Sequence, residues 1–315
     1  MPFNKNLIFI FCISAALTSQ AAEENTLPER GSFGLGWLDQ SQAAASNYVN
    51  SFAKTVDRFF GEPRSDLEAA YSTLRISTEY FWHQTNHSDT KLRIRGKIHL
   101  PIANERISLL FTEDEGEGKD FYDQTNVESL SQESTNANLQ FNLFDSLKNR
   151  LDIRFGLRSS LQGKASIRYR HELPSGETIQ HRFINTFYFV DGDGFGSLSR
   201  YELDQALTSK SLLRWSNDFR MEENFSGAQW GSRISYSRQV SDQTALSYYF
   251  NLNGLTAPKY ISAYGVGFRV RKSIGRPWLF AEIEPGHAWS KFSVHTERQP
   301  DFYIFFRLEA AIGRI

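Results

Sequence analysis

The chain has 315 residues, enough for one large domain or two ordinary ones, and its formal net charge of −1 excludes a global field that would draw it to nucleic acid or anionic surfaces. Aromatic residues make up 14% of it, with 26 Phe and 13 Tyr, yet the mean hydropathy of −0.45 excludes a polytopic helical membrane protein. So many aromatics in a polar chain point to β-structure, and function must be sought in local patterns.

At the N-terminus Lys5 precedes the apolar run Leu7 to Leu17, and Ser19 and Ala21 are spaced like a cleavage site. Residues 1–21 are therefore expected to be a secretory signal peptide, since the run is too short to span a bilayer. Cys12, the single cysteine, lies inside that run, so the exported chain is expected to have no thiol, disulfide or cysteine-bound metal. Residues 22–68 read as a periplasmic leader. Within it Leu38, Ala45, Val49, Phe52, Val56 and Phe59 recur at near-helical spacing, which predicts an amphipathic helix over 37–60, ended by Gly61 and Pro63. Such a helix would cover part of a barrel or its rim, or else dock a partner or a membrane surface.

From residue 69 to 315 the period changes to two. In "SLLRWSNDFRM" Leu213, Trp215, Phe219 and Met221 alternate with Arg214, Ser216, Asp218 and Arg220, and "DFYIFFRLEAAI" alternates in the same way. Short reversals such as "LPSGE", "VSDQ" and "SIGRP" separate these segments, which predicts an antiparallel meander of about fourteen strands, or about twelve if two weak ones merge. Residues 113–135 form the single long acidic loop.

A soluble sandwich would alternate too. The export signal, aromatic residues near strand ends (Trp82, Trp230, Tyr260, Trp278, Trp289, Phe302) and arginines in strand middles favour a transmembrane up-and-down β-barrel, all-β apart from the N-terminal helix. A closed barrel leaves no unpaired backbone in lipid and can hold charges inside. Parity then places Arg93, Arg95, Arg154, Arg168, Arg170, Arg214, Arg220, Arg269, Arg271 and Arg307 on the inner face, with Glu79, Asp152, Glu202, Asp204, Asp218 and Glu309 among them. Glu282 and Glu284 share one face of their strand, and in a meander they neighbour Arg269, Arg271 and Arg307. That arrangement reads chiefly as ion pairing that fills the lumen, with a ligand site or constriction as the alternative. Pro285 beside them cannot donate to a ladder, so a bulge or irregularity is expected there, leaving the faces of Trp278 and Phe280 open.

Two local motifs invite sharper chemistry. In "DGDGFGSLSRYE" Asp191, Asp193, Gly196 and Glu202 fall on EF-hand positions, but the preceding "HRFINTFYFV" shows no helical face and Phe195 stands where an oxygen ligand belongs. A tight turn is the better reading, with Gly192, Gly194 and Gly196 in left-handed conformations. A looser calcium contact through Asp191 and Asp193 is the alternative. In "NHSD" His87, Ser88 and Asp89 adjoin, yet neighbours on a strand point to opposite faces, and none of the seven histidines makes a convincing serine-histidine arrangement. No catalytic, metal or cofactor site is expected.

The strings "VDRFFGEPRSDLEAAYSTLRI", "DGFGSLSRYELDQAL", "SLLRWSND" and "RPWLFAEIEP", with a closing "RLEAAIG", resemble an uncharacterised family of proteobacterial outer-membrane β-barrel proteins over nearly all of the exported chain. The resemblance implies location and fold, with outer-membrane lipid and the barrel-assembly machinery as partners, and no chemistry. Such barrels commonly end on an aromatic residue used in assembly; here the last residue is Ile315, so recognition would use Phe302 to Phe306 or tolerate the variant. Two functions follow as expectations: a narrow, porin-like passive channel whose basic, salt-bridged lumen favours small anionic solutes, or a closed structural or assembly barrel working through its helix and loops.

Overall fold

The alternation does fold as strands. The computed structural model describes residues 73–85, 88–99, 107–113, 135–146, 148–158 and 161–313. The expected signal peptide (1–21), the leader (22–68) with its helix (37–60), His87, and the acidic stretch between residues 113 and 135 lie outside the described residues.

Fourteen strands run in chain order: β1 (Thr73–His83), β2 (Asp89–His99), β3 (Ile107–Glu113), β4 (Thr135–Asp145), β5 (Asn149–Arg158), β6 (Gly163–Ser175), β7 (Ile179–Val190), β8 (Gly194–Thr208), β9 (Ser211–Glu222), β10 (Ala228–Ser241), β11 (Thr244–Thr256), β12 (Lys259–Ser273), β13 (Leu279–Ser290) and β14 (Gln299–Gly313). Every strand pairs antiparallel with its sequence neighbours, and β14 pairs with β1, from Thr73 opposite Gly313 to His83 opposite Tyr303. The sheet is thus a closed barrel with no free edge. Strands of 7 to 15 residues replace the uniform ten-residue segments the alternation suggests.

Barrel polarity is inverted relative to a soluble protein. Outward positions are apolar and uncovered, Leu92 at 64% exposure and Phe155 at 53%, whereas inward positions are ionic and buried, Arg271 at 0% and Glu284 at 1%. A closed wall with an apolar outside suits hydrocarbon, where backbone groups must be satisfied within the sheet. Inside, a small apolar cluster of Phe81, Ala288, Tyr303 and Phe305 lies beside the β1–β14 seam.

Several local expectations sort themselves here. Residues 191–193 are a hairpin turn between β7 and β8, closed by Asp193 N–H donating to Val190 C=O at 3.1 Å, and no helix flanks them. Gly192 and Gly194 take φ of 84° and 85°, as the turn reading requires. Gly196 does not: it is an extended residue of β8 paired with Tyr188, and an added Cβ would collide with that tyrosine ring. Pro285 produces no bulge. The β12–β13 ladder skips it, but Gly267↔Gly286 and Val270↔Ile283 keep one register, so parity holds, Phe280 is buried inside and Trp278 stays exposed. The register shifts instead lie at Asn142/Phe144, Ala206/Thr208, Gln239/Ser241 and Asn253/Gly254.

Candidate functional site: the charged inner wall

Two ion-pair networks are built into the inner wall. The first crosses the barrel seam. Arg93 on β2 meets Glu79 on β1 at 2.8 Å, Glu79 meets Arg307 on β14 at 2.8 Å, and Arg307 reaches Glu282 on β13 at 3.3 Å. From Glu282 it continues to Arg271 (3.2 Å) and Arg269 (3.6 Å) on β12, and Arg269 also holds Glu284 at 2.5 Å. Arg271 carries the chain on by bonding Glu309 at 2.6 Å, which in turn pairs with Arg75 at 3.4 Å. The expected adjacency of Glu282 and Glu284 to Arg269, Arg271 and Arg307 is therefore what β12 and β14 provide on either side of β13. Antiparallel neighbours bring same-parity residues to one face, so sequence alternation alone assembles the set.

The second network centres on Arg182 of β7, which is 1% exposed and bonds Glu172 (3.1 Å), Glu202 (2.7 Å) and, more distantly, Asp204 (3.7 Å). Asp204 is also gripped by Arg214 through two bonds of 2.6 and 3.1 Å, and Arg200 holds Asp218 at 2.6 Å. Nothing in the alternation flagged Arg182. On β7 the buried Ile184 and Val190 share its inward parity while Asn185 faces outward, so the strand lacks a clean polar face. Its alternation against the outward Phe183, Phe187 and Phe189 was the only available signal.

Tyrosines laid over glycines strengthen both regions. Tyr249 pairs with Gly267 and Tyr303 with Gly286, and at either glycine a Cβ would strike the tyrosine ring. Freed of that Cβ, the rings lie along the wall: the Tyr249 hydroxyl donates to Glu284 and meets the Tyr303 hydroxyl at 3.0 Å, while Arg233 sits 4.1 Å from the Tyr249 ring centre. Tyr188, over Gly196, reaches Glu222 on β9 at 2.8 Å. Near the end of the seam His83 Nδ1 meets Asp301 at 2.6 Å, and Thr85 donates to the same carboxylate through its hydroxyl (2.8 Å) and its backbone N–H (3.2 Å). The outer nitrogen of His83 is buried without a hydrogen-bond partner among the described residues, and the His83–Asp301 pair ties β1 to β14. As they stand 218 positions apart, no local motif could reveal the pair.

Charge is distributed unevenly around the lumen. On β7–β14 and β1 the inward positions carry nine arginines, the seven of the networks together with Arg220 and Arg233, and nine carboxylates, those of the networks together with Glu222 and Asp301. Glu172 belongs to β6 and Arg93 to β2, so neither enters that balance. On β2–β6 the balance fails. Lys91, Arg93, Arg95 and Lys97 line β2, Arg150 and Arg154 line β5, and Lys164, Arg168 and Arg170 line β6. Against these nine stand Asp89, Asp145, Asp152 and Glu172. β3 and β4 between them turn Ser108 and Gln140 inward, both buried and uncharged. Lys91 to Lys97 alone extends about 20 Å along its strand at ~3.3 Å per residue, so the cationic sector runs through most of the wall's depth.

Of the residues expected inside, Arg93, Arg95, Arg154, Arg168 and Arg170 thus gather in one basic sector, whereas Arg214, Arg269, Arg271, Glu282, Glu284 and Arg307 belong to balanced networks and Arg220 lies beside one. Among the described residues no group of three His, Cys, Asp or Glu side chains is placed to hold a metal ion.

No protein-family model and no curated protein matches the chain. Solved structures do share its fold. In-vitro folded OmpT, an outer membrane protein of Vibrio cholerae, aligns at a TM-score of 0.43 and 9% identity over 78% of this chain and 98% of that one. A bacterial polysaccharide outer membrane secretin aligns at 0.47 and 9% over 78% and 99%, and OccK11 (OpdR) of Pseudomonas aeruginosa at 0.45 and 7% over 78% and 96%. The fold rests on this chain's own strand pairing, and these likenesses add no activity to it.

Proposed function

We propose that the chain is an outer-membrane β-barrel that acts without catalysis as a narrow passive channel favouring small anions. The observation that carries the reading is the cationic excess on β2–β6 set against a neutral remainder of the wall. Rings or stripes of Lys and Arg raise the local concentration of anions in a low-dielectric passage, while paired charges do so far less. The apolar exterior supports a membrane location, and the reading of 1–21 as an export signal supports the outer membrane as destination.

Selectivity should therefore respond to the unbalanced sector and not to the networks. Replacing Arg95 and Arg168 together by Gln is expected to shift the zero-current potential in a salt gradient toward that of an unselective pore. The Glu282→Gln change in the seam network should move it much less. Equal shifts from both variants would contradict the assignment. The closed structural barrel remains a second reading for one reason: the network side chains are packed to near-zero exposure, with Arg271 at 0% and Glu284 at 1%, as in a filled wall. A silent bilayer from folded protein would favour it.

A further inference from the structure

The outward face is not uniformly apolar. On β2, β5, β11 and β14 the outward positions offer side chains such as Ile94, Phe155, Phe250 and Phe306 to the surroundings. Across β7–β10 the mid-strand outward positions also include Asn185, Ser199, Asn217 and Ser232, set among exposed Phe183, Phe187, Trp215, Phe219 and Ile234. Part of this row is internally satisfied: Asn185 Nδ2 donates to Ser199 Oγ at 2.7 Å and Trp215 Nε1 to Ser232 Oγ at 3.0 Å. The Asn217 side chain, partly exposed, makes no hydrogen bond with any described residue. Unsatisfied amides at mid-depth on a surface facing hydrocarbon are costly and mark places where polar partners come from another wall.

Resting on the membrane reading above, we infer that the β7–β10 face is the interface of a two-fold dimer with a second copy of this chain. Two copies inserted in the same orientation can be related only by an axis along the membrane normal, so equivalent residues approach one another at the same depth. A charged row would repel its own image. Asn and Ser carry donors and acceptors together and can pair with themselves, and this row contains no charged residue. A ring of three would set the face against a different sector, and β2, β5, β11 and β14 present no polar row to meet it.

The test is disulfide trapping in the membranes of cells making the full chain, in a Cys12→Ser background that leaves no other cysteine. Asn217→Cys is expected to give a disulfide-linked species of twice the monomer mass, at least ten-fold more abundant than from Phe155→Cys on β5. Equal yields from the two positions would overturn the inference, as would an Asn217→Cys adduct of any other mass. Ser232→Cys, in the same row, serves if Asn217→Cys fails to fold. Heat-shifted gel mobility of the unmodified chain reports barrel insertion separately. Its loss would remove the membrane reading and the dimer together, whereas its presence with no trapped dimer removes the dimer alone.

Discussion

Glu284 concentrates the physical logic of the wall in a single carboxylate. At 1% exposure it accepts from Arg269 at 2.5 Å and from the Tyr249 hydroxyl, so its removal takes the shortest contact from a buried cation, which keeps Glu282 at 3.6 Å, and from a buried hydroxyl, which keeps the Tyr303 hydroxyl at 3.0 Å. Breaking one side of a buried pair typically costs about 3–5 kcal/mol, so Glu284→Ala should lower the urea midpoint of the refolded barrel accordingly, with Glu284→Gln losing less because it keeps an acceptor. An unchanged midpoint for Glu284→Ala would mean that Glu282 alone suffices to hold Arg269. Arg182→Met should behave similarly, since it leaves Glu172 and Glu202 facing each other without their shared cation. At this scale the sequence was partly legible. Glu282, Glu284 and their three arginines could be placed by parity, because on each of their strands two charged residues stand two positions apart: Arg269 and Arg271, Glu282 and Glu284, Arg307 and Glu309. Arg182, His83 with Asp301, and the tyrosine-glycine pairs could not. The first sits on a strand of mixed faces, and the others depend on which distant residues become opposite neighbours.

Individual strands and turns were the most legible level, for a physical reason. A strand half in hydrocarbon and half in a polar lumen must alternate, and that alternation is visible without knowing its partners. Exceptions arise where geometry and not polarity decides. Gly196 looked like a turn residue from its neighbours Gly192 and Gly194, but its missing Cβ makes room for Tyr188 across the ladder. Pro285 looked like a bulge or an irregularity, and the ladder does skip a pair of rungs beside it, but with the register intact. The two glycine roles separate experimentally. Gly192→Ala, at a φ of 84°, should cost about 1 kcal/mol through backbone strain in the turn alone. Gly267→Val should cost more and should also free Tyr249 from the wall, visible as raised accessibility of its phenol to nitration. Equal nitration of the variant and the parent protein would count against the packing role assigned to Gly267.

Taken as a whole, the molecule divides its inner surface between two tasks. Balanced networks on β7–β14 and β1, including the seam where the last strand meets the first, hold the wall together, and the unbalanced sector on β2–β6 supplies a field. Composition concealed this division, because a formal charge of −1 for the whole chain averages a cationic sector with acidic residues elsewhere, notably in the stretch between 113 and 135. Only strand order tells which charges share a neighbourhood. The central claim, that this sector makes the lumen anion-favouring, is tested most directly by single-channel recording of the refolded barrel in a planar bilayer under a salt gradient. Steady conductance with a zero-current potential of anion-selective sign is the predicted result. Cation-selective conductance, or a silent bilayer from protein whose folding is verified by heat-shifted mobility, would contradict it.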